Sequence, residues 1–174
     1  MKLKILLLFL ISIAACYSQN DPFNKLHFLI GNWTGEGTGF GNAKSIINSN
    51  FELEMGGKYI EVVNESKFEP TQKNKYGERH KDEGFISYDK ARNKIVYRQF
   101  NIEGYVNQYI LIDSLSNDSL FVFETEIIEN FVPGGLAKLT IRKIDNDNIE
   151  TIFDVAMPGK KYACFGTNRL TRNK

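Results

Sequence analysis

Cysteine is almost missing from this chain: Cys16 and Cys164 are its two, and 174 residues hold only one tryptophan, two histidines and four prolines. So few thiols exclude a cysteine metal cluster, and if Cys16 leaves with a leader no intramolecular disulfide can form. His27 and His80 are far apart in the sequence and show no local spacing of the metal-ligand kind, so no metal site is expected. The nucleophile-elbow pattern G-x-S-x-G and the phosphate loop G-x-x-x-x-G-K are absent. There is no convincing long amphipathic helix, no internal repeat and no low-complexity tract. The one long apolar run, Ile5 to Ala15, has about 11 residues, too short for the roughly 20 that cross a bilayer as a helix.

What is present begins with that run. Lys2 and Lys4 followed by Ile5 to Ala15 read as an export signal, residues 1–18. Two modes of processing stay open. Ile13-Ala14-Ala15-Cys16 has the form of a bacterial lipobox, which would leave Cys16 as a lipid-bearing first residue; ordinary cleavage after Ser18 would discard Cys16. The expected location is the bacterial periplasm, the cell envelope or the medium, with membrane contact only through such an anchor. The leader takes two lysines and no acids from 22 basic and 21 acidic side chains, so the mature chain carries a net charge near −1. That balance gives no reason to expect nucleic acid as a partner. The remaining length suits one water-soluble domain, residues 24–172, with one substantial core.

Period-two alternation dominates the rest. It predicts strands at Trp33 to Phe40, Ala43 to Glu54, Lys58 to Phe68, Glu83 to Tyr88 and Lys94 to Asn101, then Tyr105 to Asp113, Ser119 to Glu126, Ala137 to Ile144, Ile149 to Ala156 and Tyr162 to Thr171. Met55-Gly56-Gly57 is a hairpin signal, because glycine tolerates positive φ. Glu69 to Lys81 is polar and reads as the longest loop, and Ile127 to Leu136, with Pro133-Gly134-Gly135, as a loop or bulge. Pro22, Pro70, Pro133 and Pro158 all fall between strands, where their missing N–H breaks no ladder. Hairpin-linked strands without intervening helices predict an all-β, antiparallel up-and-down sheet of about ten strands. An open sheet of that size leaves two sticky edges, so closure into a barrel is expected, with a short helix at Asn24 to Ile30 plugging one end.

The segment Phe28-Leu29-Ile30-Gly31-Asn32-Trp33-Thr34-Gly35-Glu36-Gly37-Thr38-Gly39 resembles the opening of nitrobindin-like, haem-binding-type β-barrels, calycins related to fatty-acid-binding proteins and lipocalins. Tyr97 to Ile110 and Phe123 to Gly135 resemble uncharacterised exported bacterial relatives of that group. The similarity spans most of Phe28 to Arg172 and implies a ten-stranded barrel around an internal pocket. In haem-binding members an axial histidine lies near the end of the barrel; the corresponding tract here, KKYACFGTNRLTR, has none. The departure argues against haem, and no cofactor is expected. Tyr162 and Cys164 are the side chains left to ligate iron, since phenolate and thiolate both do so elsewhere.

Candidate site residues follow from the barrel. Trp33 near one end of the chain and Arg169 or Arg172 near the other are expected to meet at closure through a cation–π contact; the sharper reading of Trp33 is a pocket wall. In the Tyr97 to Ile110 hairpin, a two-residue turn at Ile102-Glu103 pairs Arg98 with Asn107, Phe100 with Tyr105 and Val96 with Tyr109. Partners share a face. If that face is internal, Trp33, Arg98, Phe100, Tyr105, Asn107 and Tyr109 form a ligand site in which Arg98 clamps an anion. If the other face is internal, Ile95, Tyr97, Gln99, Val106, Gln108 and Ile110 line the lumen. Arg142 is a second possible anion partner. Glu52 with Glu54 and Glu124 with Glu126 share strand faces but nothing completes a reaction centre. His80 reads as an exposed loop residue and Cys164 as a small buried hydrophobe.

The expected function is an exported, non-catalytic barrel that binds a small, mostly apolar or amphipathic molecule. Two alternatives remain at this level. One is a haem-dependent, peroxynitrite-isomerising barrel with a non-histidine ligand; the other is a structural envelope lipoprotein without a ligand.

Overall fold

The computed structural model describes residues 21–39, 43–72 and 74–174. The leader expected at 1–18, with Cys16, lies outside the described residues. Ten strands follow in order: β1 (Gly31–Gly39), β2 (Ala43–Glu54), β3 (Tyr59–Phe68), β4 (Glu78–Asp89), β5 (Lys94–Asn101), β6 (Val106–Leu111), β7 (Leu120–Glu129), β8 (Leu136–Lys143), β9 (Asn148–Ala156) and β10 (Ala163–Arg172). Each strand pairs antiparallel with its neighbour in sequence, and β10 returns to β1, so the sheet is a closed up-and-down barrel. Closure leaves every strand with two partners and no free edge.

Inward positions recur every second residue. In β2, Ser45, Ile47, Ser49 and Phe51 are buried while Lys44, Ile46 and Asn48 between them are exposed. Two glycines let the wall bend. A Cβ on Gly35 would lie 1.9 Å from the Arg169 carbonyl oxygen, and one on Gly84 would lie 2.0 Å from that of Arg98. Neither contact is physically possible, so glycine at both places permits the close approach of neighbouring strands.

One end of the barrel is sealed. A 3-10 segment, Asn24–Leu29, crosses it, and Phe23, Leu26 and Leu29 are essentially inaccessible to solvent. Burying three such side chains stabilises the lid by about 1.5–3 kcal/mol each. Beneath it lies Trp33, also fully buried, whose Nε1 donates to the Leu29 carbonyl at 2.7 Å. Trp33 and Arg172 are register partners across the β1–β10 seam. The Arg172 guanidinium covers the indole at 4.2 Å and donates to the backbone carbonyls of Ile30, at 2.5 Å, and Phe28. Arg169 is a seam residue too, opposite Glu36, but its side chain points out to Glu150 at 3.3 Å, away from the tryptophan.

Two segments depart from the alternation read in the sequence. β4 begins at Glu78 rather than Glu83, so the last four residues of the expected Glu69 to Lys81 loop are strand. Its first residues are polar on both faces, which hides any period-two contrast. β7 runs on to Glu129, with a register shift against β6 between Gln108 and Tyr109.

Candidate functional site

The barrel encloses a cavity of about 210 Å³ that opens at the end opposite the Trp33 lid. This is below the ~300–1,000 Å³ usual for a ligand pocket. Its deep walls are apolar, with Phe51, Ile141 and Leu170 nearest the sealed end and Ile86 and Phe123 above them. Polar groups gather toward the opening: Ser66 on β3, His80 and Asp82 on β4, Asn101 on β5, and Glu103 and Tyr105 in the following turn.

The β5–β6 hairpin sets the middle of the site, and its register differs from the expected one by a single residue. Gln99 pairs with Asn107, Tyr97 with Tyr109 and Arg98 with Gln108. The cause is a turn of three residues, Ile102-Glu103-Gly104, closed by the Asn101 N–H bond to the Tyr105 carbonyl at 3.1 Å. Gly104 has φ of 92°, the position that such three-residue hairpin loops reserve for glycine. One extra turn residue changes which side chains share a face. Tyr97, Gln99, Asn107 and Tyr109 point inward; Arg98 and Phe100 point to solvent. Neither face expected from the sequence is therefore the lumen face: it combines half of each. The correction matters chemically, because it removes the one arginine assigned to the pocket.

These four inward side chains are built as a unit. Tyr97 and Tyr109 stack at 5.7 Å with 15° between ring planes, and Phe123 meets Tyr97 edge-on at 6.4 Å. The Gln99 side-chain oxygen accepts from Asn107 Nδ2 at 3.0 Å and from the Tyr109 hydroxyl at 3.3 Å. The Tyr97 hydroxyl has no partner, and among the described residues it is the buried side-chain polar atom of which this is true. An orphaned buried hydroxyl costs about 1–3 kcal/mol, which a hydrogen-bonding guest would recover.

The rim carries charge. His80 is an inward residue of β4, not the exposed loop residue expected, and it pairs through Nε2 with Glu78 at 2.8 Å and through Nδ1 with Glu103. One step deeper, Asp82 faces Asn64 on β3 and Asn101 on β5. Burial, reinforced by the neighbouring charge of Glu103 and opposed by His80, pushes its carboxyl up to about 7. Burial also raises Tyr97 well above the ordinary phenol range and raises Tyr109; the Asp82 charge adds to both.

Other candidates lie elsewhere. Arg142 is exposed and pairs with Glu150 at 2.9 Å. Glu126 holds Arg92 at 2.8 Å on the outer surface. Cys164 is exposed rather than buried, because a register shift between Cys164 and Gly166 interrupts the alternation of β10. Tyr162 lies under the Lys138 ammonium at 4.7 Å, outside the cavity lining. Neither residue raised as an iron ligand thus faces the lumen, and both nitrogens of the histidine at its rim face carboxylates.

Reasoning from sequence placed Tyr97 and Gln99 in the lumen only on the alternative face, and it missed the partnerless carboxylate of Asp82 and the rim pair His80 and Glu103. Gly104 was the available signal for the hairpin. For β4 there was none, since Arg79, Lys81 and Glu83 outside alternate with His80 and Asp82 inside, polar against polar.

No protein-family model matches the chain. No curated protein matches it by sequence. Among solved structures it is similar to the crystal structure of Rv2717c from M. tuberculosis, with TM-score 0.69 and 16% identity over 88% of this chain and 98% of that one. EF1p2_mFAP2b bound to DFHBI (TM-score 0.43) and a redesigned β-barrel, b11L5F_LGL (0.40), are also similar, each 11% identical; they cover 86% and 85% of this chain and 97% and 94% of their own. At 16% identity the likeness to the M. tuberculosis structure shows the fold alone, a closed, ten-stranded antiparallel β-barrel.

Proposed function

We propose that the chain is an exported, non-catalytic binding barrel that holds a small, mostly apolar molecule in its lumen. The observation that carries this reading is Tyr97, which lines a cavity closed at one end and whose buried hydroxyl has no partner. A core serving stability alone gains nothing from that atom, whereas a host for a guest does. The apolar depth of the cavity supplies affinity at roughly 25 cal/mol per Å² of guest surface buried. The polar groups around Tyr97, Gln99 and Asn107 supply orientation. Export rests on Lys2, Lys4 and the apolar run after them.

The test combines native mass spectrometry of protein purified from its own host with titration of Nile red, an uncharged apolar dye. Ser49 is small, buried and lines the cavity, so Ser49→Phe fills part of the lumen. A co-purifying small molecule, together with dye binding that Ser49→Phe weakens about tenfold or more, is the expected result. Equal dye binding by the folded filled variant, or no binding by either protein, overturns the reading.

A further inference from the structure

We propose that the lumen selects guests that carry a protonated amine at one end, the ammonium lying between the Asp82 carboxylate and the Tyr97 hydroxyl and the apolar remainder pointing to the sealed floor. This rests on the lumen-binding reading above and names its ligand class.

The first argument is the sign of the charge. Among the described residues no lysine or arginine lines the cavity. The basic residues of β4 and β5 nearest to Asp82 alternate outward: Arg79 holds Glu65 at 2.7 Å, Lys81 pairs with Glu83, and Arg98 faces solvent. Among the described residues His80 is the one inward group nearby that can become cationic, and Glu78 and Glu103 already bracket it. Asp82 is left with neutral cross-strand neighbours, Asn64 and Asn101, and with no hydrogen bond or ion pair among the described residues. A carboxylate so placed is a site for a cation and repels an anion.

The second argument is independent of charge. The Tyr97 side chain lines the cavity, and its hydroxyl is buried and partnerless. Both Tyr97 and Tyr109 respond to the charge of Asp82, so carboxylate and phenols share one neighbourhood. An ammonium brings several N–H donors and no acceptor. One N–H meets the Asp82 carboxylate and another the Tyr97 oxygen, while the stacked Tyr97 and Tyr109 rings offer a cation–π surface. A carboxylic-acid guest would place its anion against Asp82, and a plain hydrocarbon would leave both polar groups unserved.

Proton linkage follows. In the empty barrel the Asp82 carboxyl titrates near 7. A cation beside it favours the ionised form, so binding near neutral pH releases a proton and tightens as pH rises. The groups that modulate this titration are His80 on the same strand, Glu103 and Tyr105 in the β5–β6 turn, Tyr97 on β5 and Tyr109 on β6.

The experiment compares phenethylamine, 2-phenylethanol and phenylacetate by calorimetry against the full barrel, Asp82→Asn and Tyr97→Phe, with Nile red as a control for the lumen itself. Near pH 8 the amine is expected to bind about tenfold or more tighter than the alcohol, with phenylacetate weakest. Asp82→Asn levels amine and alcohol, Tyr97→Phe weakens the amine several-fold, and the amine's advantage shrinks near pH 5. Phenylacetate or the alcohol matching the amine overturns the proposal, as does an amine preference that survives Asp82→Asn. If Nile red still binds in that case, only the ligand class is wrong. If Nile red and all three probes fail, the lumen reading falls with it.

Discussion

Arg172 lies over the indole of Trp33 at 4.2 Å, joining the last strand of the barrel to the first. The contact is more than a stacked pair, because the same guanidinium holds the Ile30 and Phe28 carbonyls and fixes the lid to the seam. Arg172→Ala is expected to cost about 2–4 kcal/mol, adding a cation–π contact to charged hydrogen bonds. Arg172→Lys keeps the charge, loses the planar fork, and should recover less than half. Urea unfolding of both variants, with Trp33 fluorescence as the probe, checks this; equal stability of Lys and Arg would contradict it.

Gly84 and Arg98 make a paired prediction about the wall. Gly84→Ala forces a Cβ against the Arg98 carbonyl oxygen and should lower stability by about 1–3 kcal/mol or more, as overpacking does. Arg98→Ala removes only a solvent-facing side chain and should stay within about 0.5 kcal/mol of the parent. A large loss from Arg98→Ala in thermal melts would return that residue to the lumen.

The two stacked tyrosines should respond oppositely to the same edit. Tyr109→Phe breaks the bond to Gln99 and is expected to destabilise by about 0.5–1.5 kcal/mol. Tyr97→Phe removes an orphaned hydroxyl and should leave the empty protein as stable or more so. Parallel denaturant curves decide it, provided no guest co-purifies.

The Asp82 carboxyl gives a pH signature. Its folded value, about 7, lies above the unfolded one near 3.8, so between these the native state binds more protons than the unfolded chain. Stability attributable to this group is therefore full below about pH 4 and declines as pH rises through 7, by on the order of 2–4 kcal/mol. Asp82→Asn should remove that decline and be the more stable protein near pH 8. Unfolding measured near pH 5 and near pH 8 for both proteins tests the sign; a parent that gains stability over this interval relative to the variant would refute it.

Most of the barrel was readable because its turns are chemically marked. Met55-Gly56-Gly57 and Pro158-Gly159 punctuate strands whose outward faces are polar, and prolines sit only at the breaks. The Trp33–Arg172 seam was readable because both residues lie at chain ends that a closed sheet must bring together. The lumen was harder. A three-residue turn instead of a two-residue one moved Arg98 outside and Tyr97 inside, and the sign of the pocket's charge moved with them. The first half of β4 escaped notice because a polar rim gives its inward residues the same character as its outward ones. Hydrophobic alternation reports an apolar core, and it goes silent where inward side chains are polar.

The lid formed by Phe23, Leu26, Leu29 and Trp33 makes the vessel a blind alley. On the proposed binding reading a guest would enter and leave past His80 and Glu103, the mouth formed among the described residues, so nothing arriving could push an occupant out from behind. Exchange is then serial: a newcomer waits for departure, and raising its concentration shortens the vacancy without hastening the exit.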